Sequence, residues 1–247
     1  MRVAVISDMH GNDLAFEVIE ADIQRQRIDQ IVCLGDAIQG GPQPAAVLQR
    51  LRRLGCPVVM GNADSWLISG EETGDEGIPP ERLRKMGEIR LWSLSQLSES
   101  DRAFISNFQP TVTINLEKDL NLLCFHGSPT SFDDVILPTA PEEEFQKFLG
   151  GYADYILTGG HTHAQQIRRN GRYFFFNPGS VGFAYSHNQP ENEFHADPWA
   201  EYAILTVENG QVGLKFRRTP FDAKELIRIY RESGRPFADE AITQYQT

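Results

Sequence analysis

Three short apolar runs near the start of the chain each stop at a side chain able to bind a cation. "VAVI" (3–6) stops at Ser7-Asp8, "QIVCLGD" (30–36) at Asp36, and "PVVMGN" (57–62) at Asn62. Between the first two, Leu14, Val18, Ile19 and Ile23 recur with a helical period, and Asn12 or Asp13 can cap that helix. Between the second and third, "GGPQP" leads into "AAVLQRLRRLG", with proline suited to a first helical turn and Gly55 to a stop. Such continuously apolar strands, alternating with helices, predict parallel neighbours covered on both faces. Sheets of this kind bind ligands at the carboxyl ends of their strands. Asp8, Asp36 and Asn62 all fall there.

The remainder is read in the same terms. The segment 68–81, "ISGEETGDEGIPPE", is a polar acidic loop, followed by helical segments to about Phe108; Ser98 and Asp101 have capping-box spacing at the last of these. The second half is mostly strand: "TVTINL", "NLLCFHG", "DYILTGG", "RYFFFNPGSVG", then "EYAILTVENG" and "QVGLKFRRT", with Asn209-Gly210 as a hairpin signal. A terminal helix spans roughly 222–233 and carries Leu226, Ile229 and Tyr230 on one face. No internal repeat occurs. We therefore expect one domain over 1–247, with two sheets, helices outside, and loops 68–81 and 184–200 at the pocket mouth.

Composition narrows the function classes. With 40% hydrophobic residues the chain can bury a large core, yet no run of about 18 apolar residues suggests a membrane span. "MRVAVISDMHGN" reads as a strand rather than a signal peptide. Cys33, Cys56 and Cys124 lie in separate apolar runs, and this odd count predicts buried, reduced thiols and a cytoplasmic location. A net charge of −11 without a sizeable Lys/Arg cluster argues against nucleic acid as partner. The oligomeric state is not legible.

The chemistry lies in the polar residues that end the apolar strands: Asp8 and His10 in "SDMHGN", Asp36 in "LGDAIQGG", Asn62 in "MGNAD", His126 in "LCFHGS", and His161 and His163 in "TGGHTHA". Four of the six histidines belong to this set. Asp8 and His10, like His161 and His163, are two residues apart, a spacing that in extended chain points both side chains the same way. Imidazoles, carboxylates and an amide form a mixed nitrogen and oxygen ligand set for two divalent cations, each with two imidazoles and a share of Asp36. Two dications, two carboxylates and one hydroxide leave a net charge of about +1 towards the substrate, which suits phosphate, and two-metal sites with ions about 3.5–4 Å apart serve in-line displacement. Such ligands suit Mn, Fe, Zn, Co or Ni better than Mg alone, with Mn favoured here.

The ordered set D-x-H, G-D, G-N, H and G-H-x-H resembles the calcineurin-like metallophosphoesterase superfamily. "AVISDMHGN", "QIVCLGD" and "NPGSVG" are similar to its small bacterial and archaeal phosphodiesterase-type members, over about residues 1–218. The resemblance implies a four-layer α/β/β/α sandwich of two mixed sheets flanked by helices. It also implies one metal held by Asp8, His10, Asp36 and His163, a second held by Asp36, Asn62, His126 and His161, and a metal-bridging hydroxide as nucleophile. Asp36, Asn62 and Asp64 are the expected catalytic positions, with Asp64 bracing a ligand such as His10. "NPGSVG" (177–182) is expected to position backbone near the metals. Asn62 and His126 are the expected substrate contacts, with His187 and His195 as further candidates from the 184–200 loop.

One position departs from the superfamily pattern. Many members read G-N-H-[DE], where the histidine binds phosphate and protonates the leaving group; this chain reads "GNAD", with Ala63 in its place. General acid assistance contributes about 10²–10⁴-fold, so its loss favours esters with better leaving groups, or a substitute acid such as His187 or His195. The expected activity is hydrolysis of a small phosphodiester or nucleotide, releasing a phosphate product. The alternatives are a phosphomonoesterase, including a protein or dinucleotide phosphatase, and a non-catalytic scaffold on the same fold.

Overall fold

In the computed structural model, residues 1–71, 78–190 and 193–246 are described. Strands β1 (Arg2–Ile6) and β2 (Gln30–Cys33) flank helix α1 (Asp13–Gln24), and α2 (Pro44–Leu54) follows. Next come helices α3 (Asn62–Ser69), α4 (Pro80–Ser95) and α5 (Glu99–Ser106). Strands β3 (Val112–Glu117) and β4 (Leu120–Cys124), helix α6 (Glu142–Leu149), and strands β5 (Ile156–Thr158), β6 (Gln166–Asn170) and β7 (Tyr173–Asn177) form the middle of the chain. The chain closes with β8 (Trp199–Glu208), β9 (Gln211–Pro220), α7 (Ala223–Glu232) and α8 (Ala238–Thr243).

Two mixed sheets result, ordered β2-β1-β8-β9 and β3-β4-β5-β7-β6. β1 runs parallel to β2, and β5 runs parallel to both β4 and β7. Alternation along the strands builds the layers. Val3 and Val5 of β1 join Leu122, Cys124 and Phe176 in a core that both sheets share, while Ala4 and Ile6 join Phe16, Ile19 and Leu48 under the helices. On the far face of the second sheet, Leu123, Leu157 and Phe175 pack with Phe145 and Leu149 of α6. The order is thus helices, sheet, sheet, helix, the four-layer sandwich.

The local signals act through specific bonds. Asn12 caps α1 by accepting from the Ala15 amide at 3.0 Å, and Gly55 ends α2 at φ +60°. Ser98 and Asp101 form the reciprocal capping box of α5. Asn209 (φ +52°) and Gly210 (φ +75°) supply the two left-handed residues of a type I′ turn between β8 and β9.

Some expectations need correction. The third apolar run does not form a full strand: Val58 bridges Cys33 and Val59 bridges Gln109, and α3 begins at Asn62. Pro57 lacks an amide donor on one side, and the helix takes over on the other. Cys56 is half-buried rather than buried, although all three thiols are free. Of the acidic loop 68–81, residues 72–77 lie outside the described residues, as do 191 and 192 of the segment 184–200. Among the described residues, no helix is long and apolar enough to cross a membrane.

Candidate metal centre

All seven singled-out positions converge at the carboxyl ends of β1, β2, β4 and β5 and at the start of α3. They fall into two groups: ligand atoms of Asp8, His10 and His163 lie within 4.8 Å of one another, and so do those of Asp36, His126 and His161. The two groups adjoin, because Asp36 Oδ2 is 3.3 Å from His126 Nε2 and 3.8 Å from His10 Nε2. Asn62 Oδ1 is 3.0 Å from His126 Nε2, on the Asp36 side.

The backbone that delivers these side chains is not extended. Asp8 (φ +58°), His10 (+45°), Asp36 (+50°), His161 (+67°) and His163 (+55°) all adopt left-handed conformations. The expectation that residues two apart point together from extended chain is therefore wrong in its geometry. Asp8 and His10 do share a group, but His161 and His163 belong to different ones. Left-handed backbone costs a non-glycine residue about 1 kcal/mol or more, and its clustering marks a site that the surrounding structure holds in place.

Ring orientation is fixed from behind. Nδ1 donates to a backbone carbonyl in three histidines: His10 to Gln39 (2.9 Å), His126 to Leu34 (2.8 Å) and His163 to Phe183 (2.7 Å). A carbonyl only accepts, so each Nδ1 carries the proton and each Nε2 turns inward. His10 Nε2 and His163 Nε2 then lie 3.1 Å apart. Asp8 is fully buried, and neither of its carboxylate oxygens accepts a hydrogen bond. Inward lone pairs beside an unsatisfied buried carboxylate are unfavourable without positive charge between them. The donor set therefore fits divalent cations.

Without metal, protons supply that charge. Burial disfavours charge on His126, but the neighbouring Asp36 outweighs it and pushes the imidazole up to about 9. His163 is likewise raised, with Asp8 overcoming the burial penalty. Burial holds His10 and His161 below the usual imidazole range. Asp8 and Asp36 stay below the usual carboxylate range despite burial, through His163 and His126 respectively.

Asp64 does not brace His10. Its buried carboxylate accepts from the Ala37 and Ile38 amides, each at 3.1 Å, and so pins the turn that carries Asp36. Burial, followed by the nearby Asp36, pushes its carboxyl up to about 7. Ala63 contributes through its backbone: its amide donates to Asp36 Oδ1 at 2.9 Å. Gly61 is required beside it, since a Cβ there would stand 2.0 Å from the same oxygen.

The "NPGSVG" turn ties the two halves of the centre together. Asn177 Nδ2 donates to the Gly160 carbonyl and to Thr162 Oγ1, while Ser180 Oγ donates to the Asp8 carbonyl at 2.8 Å. Val181 and Gly182 amides donate to Ser7 and Asp8 carbonyls. The supporting carbonyls of Gln39, Leu34 and Phe183 were not singled out in sequence; backbone acceptors leave no residue-type signal. His187 Nε2 pairs with the Thr162 carbonyl at 2.6 Å, next to the centre, whereas His195 pairs with the Glu193 carbonyl of its own loop.

Comparison with known proteins agrees with the fold. An uncharacterized protein of Methanocaldococcus jannaschii is 26% identical over 241 residues, covering 90% of this chain and 89% of that protein. A metallophosphoesterase from Sphaerobacter thermophilus superposes with a TM-score of 0.73 at 24% identity, covering 99% and 98% of the two chains. A hypothetical protein from Pyrococcus horikoshii OT3 gives a TM-score of 0.80 at 20% identity, covering 98% and 96%. The profile of the calcineurin-like phosphoesterase superfamily domain matches residues 1–210, and the chain belongs to that superfamily.

Proposed function

We propose that the protein is a dinuclear-metal phosphodiesterase acting on a small phosphodiester or nucleotide. The observation that carries this reading is the pair of adjoining ligand groups, with Asp36 able to reach both. Asp8, His10, Asp36 and His163 would hold one cation, and Asp36, Asn62, His126 and His161 the other. Mn is the favoured metal among Mn, Fe, Zn, Co and Ni. When bound, the cations supply Lewis-acid activation of water and neutralise phosphoryl charge.

The chain's own groups do the rest. Backbone carbonyls hold the three imidazoles in one tautomer, so that their Nε2 atoms face the reacting region. Asp64 and the Ala63 amide keep Asp36 in place from two directions. Ala63 offers no proton at its side chain, which favours diesters whose departing group needs little help over monoesters with poor leaving groups. His187 is the nearer candidate for a substitute acid: its Nε2 pairs with the carbonyl of Thr162, which lies between the ligands His161 and His163, whereas His195 pairs within its own loop. The loop 184–200 and the ends of 68–81 would shape the pocket mouth of a single domain.

The experiment is a comparison of turnover on bis-p-nitrophenyl phosphate and p-nitrophenyl phosphate by Mn²⁺-reconstituted protein. The diester should be the better substrate by at least tenfold. A preference for the monoester would replace this reading by a phosphomonoesterase, and stoichiometric metal without hydrolysis of either would replace it by a scaffold.

A further inference from the structure

A continuous run of aromatic rings leads outward from the metal centre. Phe183 lies 6.3 Å from His10 and 5.9 Å from His163 between ring centroids, and Tyr185 lies 5.4 Å from His163. Phe194 then meets both, at 5.8 Å from Phe183 and 5.2 Å from Tyr185, and His187 meets Tyr185 at 4.9 Å. These are ordinary distances for rings that pack together, but the run does not close into a core. Phe183 packs against the main helical core, whereas Phe194 is 36% exposed. The Tyr185 hydroxyl makes no hydrogen bond among the described residues, and a phenol at a half-buried site ordinarily finds a partner.

The rings are held rather than loose. The Phe183 carbonyl accepts from His163, His187 pairs with the Thr162 carbonyl, and the Asp197 amide donates to the Ala184 carbonyl. An aromatic surface that begins at the candidate metal centre matches the chemistry of a nucleotide: a flat π face joined to an anion. Base–aromatic stacking tolerates any base, because every base has a π face.

We propose that Tyr185 and Phe194, edged by His187, form a stacking face for the nucleobase of a nucleoside phosphodiester whose phosphate sits at the metal centre. This inference rests on the phosphoesterase reading and sharpens it to a substrate class. The Tyr185 and Phe194 rings select a substrate; they take no part in bond breaking.

Binding and turnover separate the two levels. Calorimetric titration of the Mn²⁺-loaded protein with adenosine monophosphate and with ribose 5-phosphate compares the same phosphate with and without a base. We expect adenosine monophosphate to bind about tenfold tighter or more, and the Tyr185→Leu/Phe194→Leu double variant to bring that ratio towards one. A ratio near one in the parent protein, or a ratio that survives both substitutions, overturns the stacking face. In turnover, thymidine 5′-(p-nitrophenyl phosphate) and methyl p-nitrophenyl phosphate share a leaving group, so their kcat/KM ratio should follow the same pattern. Equal kcat/KM values overturn the stacking face alone, whereas hydrolysis of neither ester overturns the phosphodiesterase reading.

Discussion

His10 Nε2 and His163 Nε2 lie 3.1 Å apart although each ring has already committed its Nδ1 proton to a backbone carbonyl. In the metal-free protein, one proton on the raised His163 can bridge them, beside the otherwise unsatisfied Asp8. A bound cation would replace that proton, so protons and metal compete for one place.

Metal binding should therefore release protons. His126 in the free protein is protonated below about pH 9, so apparent Mn²⁺ affinity should rise with pH up to that value and level off above it. Calorimetry in buffers of different ionisation enthalpy reads the number of protons released. The metal-free fold should show the opposite trend. A group whose folded value is raised contributes stability that is complete below its ordinary 6.5 and lost as pH climbs through about 9. Thermal unfolding of chelated protein should show falling Tm across that window.

Replacing Asp64 tests the turn that carries Asp36. Asp64→Ala leaves the Ala37 and Ile38 amides without their acceptor, at a cost of about 1–3 kcal/mol for each buried donor left unpaired. Metal affinity should fall roughly 10–100-fold, the usual consequence of losing a group that orients a ligand. Denaturant unfolding and metal titration of the same preparation check both; unchanged metal affinity would restrict Asp64 to a structural part.

Ala63→His restores a titratable side chain beside Asn62 in the first turn of α3. Turnover of p-nitrophenyl phosphate should increase, by up to about 10²-fold, while bis-p-nitrophenyl phosphate changes much less. Parallel steady-state kinetics on the two esters give the comparison. An equal gain on both would show that the missing proton donor does not set the choice between mono- and diesters.

Two sheets with helices outside, and a candidate site drawn from Asp8, Asp36, Asn62, His126, His161 and His163, could be read from where apolar runs end; the four layers came from the family resemblance. The carboxyl ends of the parallel pair β1 and β2 lie in one sheet and those of β4 and β5 in the other, and the packing of the two sheets brings them together. The geometry within the site was not legible. Left-handed backbone at Asp8, His10, Asp36, His161 and His163 depends on turns that long-range bonds impose, such as Ser180 to the Asp8 carbonyl. That Asp64 supports the ligand Asp36, rather than His10, was not legible either, because its proximity to Ala37 and Ile38 is set by α3 packing and not by spacing along the chain. Helix α3 itself was missed, as "VVMGN" looks uniformly apolar up to the residue where the helix starts. The stacking face was hidden for a different reason: Phe183, Tyr185 and Phe194 are scattered through a polar segment with no period.

The most direct measurement is a titration of metal-free protein with Mn²⁺ while hydrolysis of bis-p-nitrophenyl phosphate is followed. Two adjoining ligand groups joined at Asp36 predict a rate that keeps rising to two equivalents per chain and then becomes constant. A rate complete at one equivalent, or no hydrolysis at any loading, would contradict the dinuclear phosphodiesterase.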